Sequence, residues 1–132
     1  MYPETDSLPK QHTPLLAAGL LILSNTFYYD NFIMAIVAVN VIPIGVGPSV
    51  SDYVAAAEKA ICNRPDIKHQ AGPMFTTLEG DLDEIMAAIR DMQEAVFAAG
   101  ALRVATTIKI DDRRDKKATI DSKMASLNAK VN

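Results

Sequence analysis

The stretch of residues 35–42 constrains the fold of this chain more than any other. Its sequence, AIVAVNVI, is rich in β-branched side chains, and apolar residues occupy both odd and even positions apart from Asn40. A strand with this pattern is typical of the centre of a sheet, where both of its faces are buried. Pro43, Gly45 and Gly47 interrupt the pattern, so we predict a central strand that ends here.

The next segment has helical spacing and is followed by two short strand patterns. Ser49 is a favourable N-cap residue, with Asp52 three residues later as its partner in a capping box. Apolar residues then recur at helical spacing, and we predict that this helix ends before Pro65. Residues 67–70 and 74–79 are predicted to be two short strands, and the Ala-Gly-Pro sequence between them supplies the turn.

A second helix, a fourth strand and a final helix complete the pattern. Asp81 is predicted to cap the second helix, with Glu84 as its capping-box partner and Gly100 just beyond the last turn. Residues 102–110 alternate in polarity, which predicts a strand that begins at Leu102. The last helix is amphipathic, with an apolar stripe of Ile120, Met124, Leu127 and Val131.

The order of these elements is strand, helix, strand, strand, helix, strand and terminal helix. This is the split βαβ plan, and it predicts an α+β fold: a ferredoxin-like βαββαβ sandwich with an extra C-terminal helix. Right-handed crossovers place both main helices on one face of the sheet. The other face would be wet in a single chain, although the first strand is apolar on both sides. A second copy of the same sheet is the simplest cover, so we expect an oligomer.

Composition narrows the class of function. The chain has 132 residues, of which 49% are hydrophobic and 22% charged, so it is long enough for one soluble domain. A net charge of −3 disfavours nucleic acid as a partner, and we expect no membrane partner either. The single cysteine, Cys62, favours a reducing compartment, so we expect a cytoplasmic protein. The Cys and His spacings fit no metal site, so we expect neither a metal nor a cofactor.

Residues 1–33 differ from the rest of the chain. Three prolines lie among polar residues within 1–14. The apolar run of residues 15–23 is far shorter than the roughly 20 residues that span a bilayer. Three interpretations stay open: a poorly ordered or non-native extension, a helix that packs on the domain, and a targeting segment. We therefore expect 1–33 to be an N-terminal extension, disordered or partly helical, and 34–132 to be the domain.

Three segments of the domain resemble the small thiamine-binding-protein family: PIGVGPSVSDYV, QAGPMFTTLEGDLDEI and RVATTIKIDDRRDKK. The resemblance covers residues 34–131. It implies a ferredoxin-like domain that binds thiamine or its hydroxymethylpyrimidine moiety without catalysis. It also implies dimers that pair through their sheets into tetramers. Phe75 departs from the family pattern, which commonly has Gly there, and this ring could either reshape a pocket or stack on a ligand.

Thiamine presents a neutral aminopyrimidine, which suits a donor–acceptor pair, and a cationic thiazolium, which suits a carboxylate or an aromatic face. On this basis we predict ligand contacts from Asn40, Ser49, Ser51, Thr76, Glu79 and Thr106. Each has a structural alternative. A buried amide needs a partner of some kind, both serines are candidate helix caps, both threonines suit strands, and the glutamate could cap the neighbouring helix.

Other functions stay open at this point. The segment 111–117 contains Arg113 and Arg114, which could bind phosphate, but three interleaved aspartates favour an ion-pair network at a subunit contact. A regulatory or structural ferredoxin-like oligomer with a different small-molecule ligand is the main alternative function. An enzyme of pyrimidine or thiamine metabolism is disfavoured, because the sequence has no nucleophile–base pattern and no phosphate loop.

Overall fold

The computed structural model describes residues 34–132 of the chain. Its elements are β1 (Ala35–Pro43), α1 (Ser51–Ile61), β2 (Lys68–Ala71), β3 (Thr76–Gly80), α2 (Leu82–Ala98), β4 (Val104–Asp111) and α3 (Ile120–Val131). The four strands form one antiparallel sheet in the order β2-β3-β1-β4. The predicted ferredoxin-like α+β fold with an additional C-terminal helix is therefore confirmed. Our expectation for residues 1–33 lies outside the described residues.

The two faces of the sheet differ in burial. Along β1 the odd-numbered residues are buried, whereas the even-numbered ones are only half-buried. The register pairs Val37 with Leu78 on β3 and with Ile110 on β4, so these side chains share the face that carries the core. We call this the helix face and the opposite one the open face. The prediction that β1 is buried on both sides is thus confirmed for the helix face, whereas its open face is only half-buried.

Helices α1 and α2 pack against each other and over the helix face. In α2 the buried side chains recur at helical spacing and include Ile85, Ile89, Met92 and Val96. In α1 the buried residues are Ala57 and Ile61. The hydrophobic core is continuous between these helices and the sheet, which is the arrangement expected when one apolar face of each element is turned inward.

The predicted helix caps are partly correct. Asp81 caps α2, because its Oδ1 accepts hydrogen bonds from the backbone N–H groups of Asp83 (3.0 Å) and Glu84 (3.2 Å). The predicted reciprocal contact from the Glu84 side chain is replaced by an approach to Arg64 at 3.9 Å. The prediction for Ser49 is wrong: the N-cap position of α1 belongs to Val50, which makes no side-chain capping hydrogen bond.

Strand β4 is shorter than predicted at its start. It begins at Val104, and Leu102 is 96% exposed in the preceding loop. From Val104 onward the strand has the predicted alternation of faces, because Thr106 pairs with Val41 and Ile108 pairs with Val39 on the helix face. Gly100 adopts a φ of +114°, a left-handed conformation that favours glycine, just after α2.

Helix α3 is attached to the open face through its first turn. Thr119 and Ser122 form a capping box at its start. The buried Glu79 accepts a hydrogen bond from the backbone N–H of Ile120 at 2.8 Å. Lys68 pairs with Asp121 at 2.7 Å, and Asp111 pairs with Lys123. The remaining apolar stripe of α3 is exposed. None of the helices within residues 34–132 is long and apolar enough to cross a membrane.

Candidate ligand-binding site

A cavity of about 260 Å³ lies where β1 extends beyond its neighbour β3. One side is formed by the end of β1, and another by the first turns of α1. The turn of residues 72–75 closes a third side. We call it the ligand cavity. Most of its wall is apolar, with contributions from Val50, Val54 and Met92, so the few polar groups that reach it determine what can bind.

The cavity exists because the β1–β3 ladder ends early. The last register pair is Val39 with Thr76, although β1 continues to Pro43. Ile44 donates its backbone N–H to the Arg103 carbonyl at 2.8 Å, so even-numbered residues here direct their backbone groups toward β4. The odd-numbered residues direct their backbone N–H and C=O groups to the opposite edge of β1, the side of β3. The N–H and C=O of Val41 therefore face the cavity rather than a neighbouring strand.

The side chain of Asn40 holds the segment that precedes β3 beside β1, where the ladder between the two strands has ended. Its Nδ2 donates to the Met74 carbonyl at 2.8 Å. That carbonyl would be the ladder partner of Val41 if β3 continued in the same register. The amide thus takes the place of one backbone hydrogen bond and leaves its own Oδ1 as an acceptor.

The turn of residues 72–75 requires glycine at its first position. A Cβ on Gly72 would lie 2.6 Å from the carbonyl oxygen of Phe75, a distance that side-chain carbons do not adopt. The backbone therefore closes tightly here. As a result Met74 and Phe75 are held at the rim of the cavity, where Phe75 is 38% exposed.

The most buried polar group of the cavity is the pair of Thr76 and Glu58. Thr76 is 7% exposed and donates its hydroxyl to the Oε1 of Glu58. The second carboxylate oxygen of Glu58 has no hydrogen-bond partner among the described residues. Glu58 comes from α1, four residues after Val54 and eight after Val50, so one helical stripe supplies two apolar wall residues and one carboxylate.

Comparison with known proteins assigns the chain to a family. Residues 37–128 match the family described as Thiamine-binding protein. The chain belongs to this family. It is 50% identical over 99 residues to the UPF0045 protein YqgV of Bacillus subtilis, which covers 72% of this chain and 95% of that protein. The resemblance seen in the sequence is therefore confirmed.

Solved structures share the fold of this chain. The hypothetical protein MJ1052 of Methanocaldococcus jannaschii is 37% identical, with a TM-score of 0.67 over 74% of this chain and 98% of that one. A Thermotoga maritima protein, provisionally named for thiamine biosynthesis or salvage, is 23% identical. Its TM-score is 0.62 over 71% of this chain and 98% of that chain. At this identity the second likeness supports the fold alone.

Two of the six residues predicted to contact a ligand meet in the cavity of this thiamine-binding-family chain. Asn40 and Thr76 both line it. Ser49 and Ser51 flank the lining residue Val50, but both are exposed and stand outside the lining. Glu58 was not predicted. Its signal was present, since the apolar spacing that begins at Val50 and Val54 continues onto this glutamate.

The other two predicted residues have structural partners elsewhere. Thr106 is half-buried on the helix face and accepts a hydrogen bond from Gln93 Nε2 at 2.8 Å. Glu79 is 7% exposed on the open face, where it caps α3 through Ile120. Glu79 therefore caps a helix, as the structural alternative in the sequence analysis expected. The helix that it caps is α3 and not the neighbouring α2.

The loop after β4 contains two internal ion pairs. Arg113 pairs with Asp115, and Arg114 forms two hydrogen bonds with Asp112, at 2.8 and 2.7 Å. The Arg113 guanidinium lowers the pKa of Asp115 to about 2, and Arg114 lowers the pKa of Asp112. The predicted ion pairing is therefore present within the loop, while its place at a subunit contact stays a prediction.

Within residues 34–132, no three His, Cys, Asp or Glu side chains lie close enough together to hold a metal ion. The polar groups of the ligand cavity are instead an amide, a hydroxyl, a carboxylate and a stretch of backbone. Such a set can donate and accept hydrogen bonds and can neutralise one positive charge.

Proposed function

We propose that the chain binds thiamine or its hydroxymethylpyrimidine moiety in the ligand cavity, as a carrier, buffer or sensor rather than as an enzyme. The observation that carries this proposal is the half-buried Glu58, whose carboxylate reaches an otherwise largely apolar cavity beside Thr76. A carboxylate in such a position favours a cationic ligand, because the apolar wall weakens the competition from water.

The aminopyrimidine ring suits the strand side of the cavity. An aminopyrimidine has a ring nitrogen that accepts and an amino group that donates, side by side. The N–H and C=O of Val41 offer the complementary donor and acceptor from one residue. The Oδ1 of Asn40 provides a further acceptor for the amino group.

The thiazolium ring suits the helix side. Glu58 would neutralise its charge, and Thr76 orients the carboxylate by donating to one of its oxygens. Met74 and Phe75 contribute apolar and aromatic surface at the rim, and an aromatic face also favours a cation. The family membership supports the same class of ligand.

Calorimetric titration with thiamine and with hydroxymethylpyrimidine tests the proposal. Glu58→Gln should weaken thiamine binding at least about tenfold, which corresponds to about 1.4 kcal/mol. It should weaken binding of the neutral pyrimidine much less, because that ligand has no charge to neutralise. Glu94→Gln is the matched control, since Glu94 lies on the exposed side of α2 and pairs with Arg90 at 2.9 Å.

Two results would contradict the proposal. The first is an absence of binding heat for both ligands with folded wild-type protein. The second is an equal loss of both ligands in the Glu58→Gln variant, which would remove the assigned role of the carboxylate. A thermal-shift response confined to other vitamins, amino acids or nucleotides would favour the alternative of a sensor with a different ligand.

We also propose that the protein works as a self-assembled cytoplasmic oligomer, a dimer or a tetramer joined through open faces, without a nucleic-acid or membrane partner. The half-buried Ile36 and Ile42 on the open face support this, as does the exposed stripe of Met124, Leu127 and Val131 on α3. Apolar side chains that are exposed next to one another favour association. Sedimentation at several protein concentrations would test the assembly.

A further inference from the structure

A second cavity, of about 240 Å³, lies beside the ligand cavity on the open face. Its wall includes Ile36 from β1 and both Ile120 and Met124 from α3. We call it the open-face cavity. It shares two wall residues with the ligand cavity, Gly72 and Phe75. The turn of residues 72–75 therefore separates the two spaces.

The position of Phe75 in this turn is fixed from both sides. Before it, the close approach of Gly72 to the Phe75 carbonyl sets the backbone, and Asn40 holds the carbonyl of Met74. After it, Thr76 is anchored to Glu58. Between these anchors Phe75 supplies the one side chain within residues 34–132 that borders both cavities, because Gly72 has none.

The two cavities favour opposite charges. The ligand cavity contains the carboxylate of Glu58, which suits a cation. The open-face cavity is lined by Lys123, whose ammonium group forms an ion pair with Asp111. This positive charge suits an anion. A ligand that joined a cationic ring to an anionic group would find complementary charge only if it could occupy both cavities at once.

We propose that Phe75 is a specificity-determining residue, whose ring closes the ligand cavity toward the open-face cavity and so excludes ligands extended by a phosphate ester. This inference rests on the proposed function. The ligand cavity alone, at about 260 Å³, is smaller than the roughly 300–1,000 Å³ of cavities that enclose drug-sized ligands. A ring system without a charged extension is the ligand class that it fits.

The test compares the dissociation constants of thiamine and thiamine monophosphate. Wild-type protein should bind the monophosphate at least tenfold more weakly than thiamine. In Phe75→Ala the two cavities join, so this ratio should fall to about threefold or less, even where the loss of the ring weakens the binding of both ligands. Adding Lys123→Met to Phe75→Ala should restore discrimination, because the phosphate then loses its cation.

Two further variants separate a wall from a stacking surface. Phe75→Leu keeps an apolar side chain without an aromatic face, and a wall predicts a discrimination ratio close to that of the wild type. Phe97→Ala is the matched control, since Phe97 is a similarly exposed phenylalanine on α2 away from both cavities. It should leave the ratio unchanged. Thermal unfolding confirms that each variant is folded.

Three outcomes would overturn the inference while leaving the proposed function intact. The wild type could bind both ligands equally, Phe75→Ala could keep the discrimination, or Phe75→Leu could lose the discrimination although it keeps an apolar side chain in the wall. A crystal structure of ligand-free Phe75→Ala gives a readout that needs no ligand. One continuous cavity is expected, and two separate cavities would contradict the wall. Absence of thiamine binding by the wild type would instead contradict the proposed function.

Discussion

The two faces of the sheet use their residues differently. On the helix face, Val37 and Leu78 are fully buried, and the polar Thr76 is directed to the single carboxylate of Glu58. On the open face, polar contacts place α3: Glu79 caps the helix, and Lys68 forms an exposed ion pair with Asp121. One face is held by apolar packing, whereas the other positions a helix by hydrogen bonds and charges.

This difference between the faces means that one mainly stabilises the fold, while the other mainly determines the position of α3. Apolar burial is non-directional, so the helix face can stabilise the fold without specifying where a side chain points. Hydrogen bonds to a helix N-terminus are directional and fix one turn of α3 in place. We therefore expect substitutions on the helix face to change the free energy of unfolding most. Substitutions on the open face should change the position of α3 and the association of copies.

The largest expected effect follows from Leu78→Ala. Leu78 is 0% exposed at the centre of the helix face, so the truncation leaves a cavity and should lower the free energy of unfolding by about 2–5 kcal/mol. Urea denaturation at a fixed protein concentration measures this loss. Leu102→Ala, at an exposed leucine, should stay within about 0.5 kcal/mol of the wild type. Equal effects of the two variants would contradict the assignment of the core.

The next largest effect is expected from Glu79→Ala. The backbone N–H of Ile120 is buried against this carboxylate, and leaving such a donor unpaired costs about 1–3 kcal/mol. Hydrogen exchange should show the first turn of α3 opening before the rest of the domain. Glu79→Gln keeps an acceptor oxygen and should lose less. Unchanged protection of α3 in Glu79→Ala would show that the other contacts hold the helix by themselves.

Sequence reasoning predicted the fold well where its signals were local. The apolar run of β1 and the Asp81 cap both depend on residues close in the chain, and both are confirmed. The start of α1 was misplaced by one residue, because Ser49 has the composition of a cap while the backbone places Val50 at that position. Leu102 continued the alternation of β4 in the sequence but lies in the loop before it.

The candidate site was predicted less completely because its contacts join distant residues. Asn40 stood out as a lone polar residue in an apolar strand, and it lines the cavity. Glu58 was missed, since its partner Thr76 lies 18 residues away and only the fold brings them together. The partner of Glu79 lies 41 residues further along the chain, so no local pattern identified the helix that it caps.

A charge at the centre of the open face should affect association far more than folding. Ala38 pairs with Lys109 on β4, so in Ala38→Glu the new carboxylate has a cation opposite it within one chain. The free energy of unfolding of a single chain should change by about 0.5 kcal/mol or less. Burial against a second sheet would desolvate that charge, so sedimentation should show association weakened at least about tenfold. Ala87→Glu on the exposed side of α2 is the control, and equal association of both variants would exclude the open face as the interface.

The smallest effect is expected outside both faces, at the ion pair of Arg113 and Asp115. Arg113 lowers the pKa of Asp115 to about 2, so the folded state binds this proton less readily than the unfolded chain does. Any stabilisation is therefore present above about pH 4, the ordinary range of the carboxyl. It is lost as the pH falls toward 2. Because both side chains are solvent-exposed, salt should screen the pair, and Asp115→Asn should hardly change stability at neutral pH.

An NMR titration of the Asp115 carboxyl tests this: its midpoint should lie near 2 and return toward the ordinary value in Arg113→Gln. A midpoint that stays low in that variant would show that the loop backbone, rather than the guanidinium, sets the acidity.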